Sequence, residues 1–131
     1  MSASFVTFNP SGNWEGEGKE IRLKRGSTTA VTDSGKLKIT KVIKKYQGNV
    51  YVVTDTYYFP DGSINYGPIN YLIDTNGSNS FICADDYGSG IDTYLFSSKQ
   101  MTFSYNINGA SEIVDPVYSS LNGTYNLVKK N

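Results

Sequence analysis

With no histidine and a single cysteine in 131 residues, the groups left for chemistry are carboxylates, phenols and amines. Zinc sites built on His and Cys, and Ser-His or Cys-His nucleophile machinery, are excluded by composition. Two segments echo each other: Asp55-Thr-Tyr-Tyr-Phe59 and Asp92-Thr-Tyr-Leu-Phe96. Period-two alternation puts Asp55 on one face with Tyr51, Val53, Tyr57 and Phe59, and Asp92 on one face with Tyr94 and Phe96. If these faces point inward, two carboxylates sit among tyrosines, an arrangement suited to acid–base chemistry with Asp55 and Tyr57 as the pair. The bland alternatives are an Asp in solvent, capping a turn, or tied to a tyrosine hydroxyl as a structural pair.

The other ionisable residues read more simply. Glu15, Glu17 and Glu20 are expected in solvent. Asp85 and Asp86 lack the ligand spacing of a calcium loop and fit a turn. Cys83 reads as a small buried apolar side chain, because no base stands beside it to activate a thiolate. The lysines between Lys36 and Lys45 alternate with apolar residues, which predicts the solvated face of an edge-like strand.

These residues need strands to position them. Between Asn49 and Asp74, two β-branched and aromatic runs flank Pro60-Asp61-Gly62-Ser63, and Asp-Gly accepts the positive φ angles of a tight hairpin. A helix is disfavoured there by the β-branched residues and by Gly67-Pro68. The same pattern of strand, polar turn and strand predicts eight strands: 13–24, 36–46, 49–59, 64–74, 80–84, 91–96, 101–107 and 123–130. Trp14, Gly16 and Gly18 share a parity that Ile21 and Leu23 do not, so a bulge is expected near Gly18. Beyond Leu37 and Ile39, the second strand is expected to lose strict alternation at Val42-Ile43. Residues 25–35 read as a loop with room for one helical turn, and 108–121 as a longer connection with a turn before Pro116. Residues 1–11 read as an extended arm whose Phe5 and Phe8 pack on one end of the fold. No helix is long enough for a parallel crossover, nor to follow a phosphate-binding loop. The expectation is therefore a single all-β domain over 1–131, an eight-stranded antiparallel up-and-down β-barrel, with a β-sandwich as the competitor.

Composition narrows the partners. Charged residues are 18% and aromatic residues 14% of the chain, with eleven tyrosines and thirteen glycines. Twelve basic and twelve acidic residues give zero net charge, so no global field attracts nucleic acid or acidic lipid. No run approaches the ~20 apolar residues of a membrane helix. One cysteine allows no internal disulfide. The opening residues lack the basic start and apolar centre of a secretory signal, which points to the cytoplasm unless a signal has been removed. Asn76-Gly77-Ser78 and Asn122-Gly123-Thr124 fit the glycosylation pattern but read as turns.

Gly12-Asn13-Trp14 resembles the Gly-x-Trp signature of calycin-type barrels, the group of lipocalins and fatty-acid-binding proteins. The longer Gly-Asn-Trp-Glu-Gly-Glu-Gly is similar to the opening strand of nitrobindin-like barrels. The resemblance implies that Trp14 closes one barrel end with Lys129 or Lys130 lying across it, which cation–π attraction would favour. The absence of histidine excludes haem ligation of the nitrobindin type, and no segment matches the helical lid of fatty-acid-binding proteins. No cofactor is expected.

Three functions follow. The first is non-enzymatic binding of a small, largely apolar or aromatic ligand inside the barrel, lined by Trp14, Tyr51, Asp55, Tyr57, Tyr94, Phe103 and Tyr105, with Gly16 and Gly18 leaving room beside Trp14. The second is a filled barrel whose exposed turns bind a glycan or protein, for which Tyr58, Tyr66 and Tyr87 should be exposed together. The third is a cyclase or isomerase using Asp55 and a tyrosine. The neutral, Tyr-rich surface also allows a homodimer.

Overall fold

The computed structural model describes residues 9–32, 37–84, 90–108 and 117–130. Among them the strands are β1 (Gly12–Lys24), β2 (Val31–Thr32), β3 (Leu37–Gln47), β4 (Val50–Tyr58), β5 (Ile64–Asp74), β6 (Ser80–Ala84), β7 (Gly90–Ser97), β8 (Gln100–Asn108) and β9 (Tyr118–Lys129). Their order in the sheet is β5-β4-β3-β1-β9-β8-β7-β6, with β2 attached beside β1. Each pairing is antiparallel. Eight strands in up-and-down order curl through 229° into a near-barrel. Its first and last long strands pair with each other, and β5 and β6 form its margins.

The Asp-Gly hairpin forms as its chemistry dictates. Gly62 takes φ +92°, Phe59 N–H donates to Ser63 C=O at 2.8 Å, and Asp61 Oδ1 accepts from both the N–H and the hydroxyl of Ser63. The Asn76-Gly77 turn likewise uses two positive φ angles, 52° and 75°. Asn122-Gly123 is not a turn. It lies inside β9, paired with Asn106 and Tyr105 of β8.

Alternation along the long strands is stricter than the sequence reading expected. β1 shows no register shift at Gly18; its one irregularity lies at Leu23/Lys24. Ile21 simply faces outward, opposite Thr32 of β2, which also makes part of the expected loop a strand. β3 keeps parity from Leu37 to Ile43, burying Leu37, Ile39, Lys41 and Ile43, and its register with β4 shifts only beyond, at Lys45/Gln47. It is not an edge strand, since β1 and β4 flank it. Phe59 falls past the end of β4 and is exposed, so the echo between the two Asp segments breaks at its last residue, whereas Phe96 is buried. Phe5, Phe8, Asp85, Asp86, Tyr87 and the turn before Pro116 lie outside the described residues.

The core is a ladder of rings. Tyr94 stacks on Phe81 at 5.0 Å and 12° and on Phe96 at 6.0 Å and 8°, while Phe103 lies 4.9 Å away. Trp14 meets Phe96 edge-on at 5.3 Å. Such offset and edge contacts are the favoured geometries of aromatic quadrupoles. Met101, Ile107, Leu121 and Leu127 complete the packing from β8 and β9.

Candidate functional site

Each residue expected to line the barrel interior faces inward. Trp14, Tyr51, Asp55, Tyr94, Phe103 and Tyr105 are buried, and Tyr57 is part-buried against the same core. Asp92 is buried as well. They do not form one site. Asp55, Tyr94 and Phe103 belong to a closed group at the centre of the fold, Tyr57 and Tyr105 to a tyrosine cluster toward one end, and Trp14 lies at the other end.

The central group is organised by a residue that the sequence reading assigned to solvent. Lys41 is 0% exposed and Asp55 is 1% exposed. The two are direct cross-strand partners on β3 and β4. Lys41 Nζ donates to Asp55 Oδ2 at 2.7 Å, to Tyr71 Oη at 3.0 Å and to Tyr94 Oη at 3.0 Å. An ammonium has three donors, and all three are used. Nζ also sits 3.4 Å from the centre of the Phe103 ring, a desolvated cation–π contact. The Tyr71 hydroxyl donates to Asp55 Oδ2 at 2.5 Å. Its single proton being committed there, Tyr94 donates to Tyr71 across their 2.6 Å contact. Among the described residues, Asp55 Oδ1 has no hydrogen-bond partner.

The topology explains this convergence. Register places Asp55 opposite Lys41, and Tyr71, opposite Val53, lies diagonal to Asp55 on the same face. Tyr94 arrives from β7 across the interior, because the sheet curls. Burial, followed by the neighbouring Asp55 charge, pushes the Tyr94 phenol well above its usual range. Burial, then Tyr94 and Asp55, do the same for Tyr71. Both stay protonated and act as donors. The tyrosine bonded to Asp55 is thus Tyr71, whereas the sequence pattern had paired Asp55 with Tyr57. The signal for Lys41 was present in the sequence: it occupies the third of four alternate positions whose other members are Leu37, Ile39 and Ile43.

At one end, Trp14 is buried, donates from Nε1 to Pro10 C=O at 2.9 Å, and lies under Lys129, whose Nζ is 5.9 Å from the ring. Gly16 and Gly18 leave no room there. A Cβ on Gly16 would overlap the β9 backbone, and one on Gly18 would meet the Tyr125 ring at 2.6 Å. The glycines allow close approach of β9 and seat that ring.

Toward the other end, Tyr57, Tyr66, Tyr105 and Tyr125 cluster. The Tyr57 ring lies 6.0 Å from Tyr66 and meets Tyr105 and Tyr125 edge-on at 6.3 Å and 6.1 Å. Glu20, expected in solvent, is part-buried and accepts a short hydrogen bond from the Tyr105 hydroxyl. Gly123 stands between them in register with both, and the Tyr105 ring crosses it where a Cβ would clash. Arg22 sits 3.8 Å from Glu20 and over the Tyr118 ring at 5.4 Å. Burial, then Tyr125 and Glu20, raise the Tyr105 phenol, and burial, then Asp55, raise that of Tyr57. Tyr66 is 43% exposed, so the cluster runs from a closed floor to an open rim. Tyr58 does not join Tyr66 in solvent; it is part-buried, with Lys38 5.8 Å from its ring centre.

Cys83 is part-buried against the core on β6. Among the described residues, no helix is long and apolar enough to cross a membrane. No family model, curated protein or solved structure matches the chain. What the structure supports of the calycin resemblance is the coarser feature alone, an all-antiparallel, up-and-down sheet of eight strands curled into a near-barrel.

Proposed function

We propose that the protein binds a small, largely aromatic or apolar molecule, without catalysing a reaction, at the tyrosine-lined end of the near-barrel. The observation that carries this reading is the gradient of exposure within one aromatic cluster. Tyr105 and Tyr125 form a buried floor, Tyr57 is part-buried and Tyr66 is 43% exposed. Rings held at such an edge offer stacking faces at low conformational cost, while Tyr105, Glu20 and Arg22 supply oriented polar contacts. The centre of the fold is occupied by Lys41 and stacked rings, which favours a ligand seated at the end rather than threaded through the interior. An acid–base role for Asp55 and Tyr57 gains nothing from this geometry, because Asp55 is engaged by Tyr71 and Lys41.

The test is calorimetric titration against fatty acids, retinoids, steroids, flavonoids and tetrapyrroles, followed by Tyr66→Ala. Saturable binding that weakens about tenfold in Tyr66→Ala, the equivalent of about 1.4 kcal/mol, is the expected result. Binding unaffected by Tyr66→Ala would place the site elsewhere.

A second reading is favoured by a separate observation. Ile82, Ile91 and Leu95 are exposed together on the outer side of β6 and β7, with Ile82 at 67%. This margin would suit a second copy of the chain, and sedimentation velocity over a range of concentrations would detect the dimer.

A further inference from the structure

The hydrogen bonds around Lys41 have a direction. Nζ donates to Tyr94 Oη, Tyr94 donates to Tyr71 Oη, and Tyr71 donates to Asp55 Oδ2, which also accepts directly from Nζ. The result is a closed ring in which an amine and a carboxyl group meet at 2.7 Å and a chain of phenols joins the same two atoms by a second route. Lys41, Asp55 and Tyr94 are buried beside Phe103, at 3.4 Å from Nζ, and the stacked rings, and Tyr71 is part-buried against the same core. Lys41 and Asp55 face each other across β3 and β4, so no strand need shift for nitrogen to approach the carboxyl carbon.

We propose that Lys41 and Asp55 condense into an intramolecular amide that covalently joins β3 to β4. One proton passes from Nζ to Oδ2, giving an amine and a carboxylic acid. Nitrogen attacks Cγ, and the N–C bond forms. A second nitrogen proton travels through Tyr94 and Tyr71 to Oδ2, the Cγ–Oδ2 bond breaks, and one water leaves. Nitrogen keeps its third proton, and Oδ1 remains as the amide carbonyl oxygen. The step is redox-neutral and requires no co-reactant.

Two physical features favour the product. Burial of an ion pair carries a desolvation penalty on both charges, and the amide removes both. Asp55 Oδ1, a carboxylate oxygen with no partner among the described residues, becomes the oxygen of a neutral carbonyl, which tolerates the lack of a donor far better. Exclusion of bulk water from a lysine that is 0% exposed also disfavours the reverse hydrolysis.

The experiment is intact mass spectrometry of the purified full chain, incubated folded at neutral pH and then denatured. The expected mass is one water below that of the sequence, and a tryptic digest should yield a branched peptide joining Lys41 to Asp55. Cyclisation at Asp61-Gly62 would also release one water, and Lys41→Met separates the two. Loss of the deficit in Lys41→Met supports the amide; a deficit that persists in it overturns the proposal. So does a folded wild-type chain, by near-UV circular dichroism, that stays at full mass. The double variant Tyr71→Phe/Tyr94→Phe retains both reacting groups and interrupts the relay. It should condense more slowly than wild type, and an equal rate would overturn the role of the phenols.

Discussion

Two groupings of the same ingredients, a carboxylate, a cation and tyrosines, behave differently within this fold. Around Asp55 the components are sealed: Lys41 spends all three donors inside, and the phenols close a ring. Around Glu20 they are open: Tyr105 reaches the carboxylate across Gly123, Arg22 lies at the edge, and the rings continue outward to Tyr66. Chemistry alone does not separate them. Position along the curled sheet does, because the central group is capped by rings from β7 and β8 whereas the other lies toward the end of the fold. A sealed charge pair has consequences for stability and covalent structure; an open one is available to a ligand.

The largest expected effect breaks the sealed group. Measured against wild-type chain of full mass, in which Lys41 and Asp55 are still an ion pair, Lys41→Met removes the cation from a buried carboxylate and should cost about 3–5 kcal/mol in urea unfolding. Lys41→Met/Asp55→Leu, which removes both charges, should recover most of that loss. Failure of the double variant to recover would mean that Tyr71 and Tyr94 need the charges to hold their positions.

Alkali tests both regions at once. Tyr57, Tyr71, Tyr94 and Tyr105 have phenols raised above the ordinary value of 10.0. A phenol whose folded pKa is raised holds its proton more tightly when folded. Its contribution is fully present below the unfolded value and is lost as pH climbs above it. Stability should therefore fall above about pH 10, and tyrosinate absorbance from these rings should rise together with loss of near-UV circular dichroism. A tyrosinate rise that precedes unfolding would show that water reaches the rings in the native state.

Smaller changes address the open end. Gly123→Ala forces a Cβ onto the Tyr105 ring, at 2.5 Å from its hydroxyl oxygen, and should cost about 1–3 kcal/mol. Glu20→Gln keeps the shape, weakens the Tyr105 hydrogen bond, and should cost about 1 kcal/mol. Both are read by the thermal midpoint. A Glu20→Gln loss as large as that of Lys41→Met would erase the distinction between the two groupings. At the bottom of the scale, Lys38→Ala breaks a salt bridge with Glu15 and should leave the midpoint unchanged at high salt, where exposed ion pairs are screened.

The fold was largely legible in the sequence because alternation and turn chemistry are local. β6 matches its expected bounds, 80–84, and the Asp61-Gly62 hairpin forms as its residues require. Where structure and expectation differ, parity overrides residue type. Lys41 and Glu20 are charged, a type expected in solvent, yet each sits on the inward parity of its strand and is buried or part-buried. A bulge at Gly18 would turn Ile21 inward; β1 instead runs regularly past Gly18 and leaves Ile21 outside. Tyr71 as the partner of Asp55, and Tyr94 as the partner of Lys41, depend on a β4–β5 register and a sheet curvature that no local pattern carries.

The most direct test of the central claim, that the open grouping is the binding site and the sealed one is not, is aromatic-region NMR during titration with the ligands of the panel. Shifts concentrated on Tyr57, Tyr66, Tyr105 and Tyr125, with the Trp14 indole N–H and the Tyr94 ring unmoved, are the predicted result. Shifts centred on Trp14 or on Tyr94 and Phe103, or none with any ligand in the panel, would contradict it.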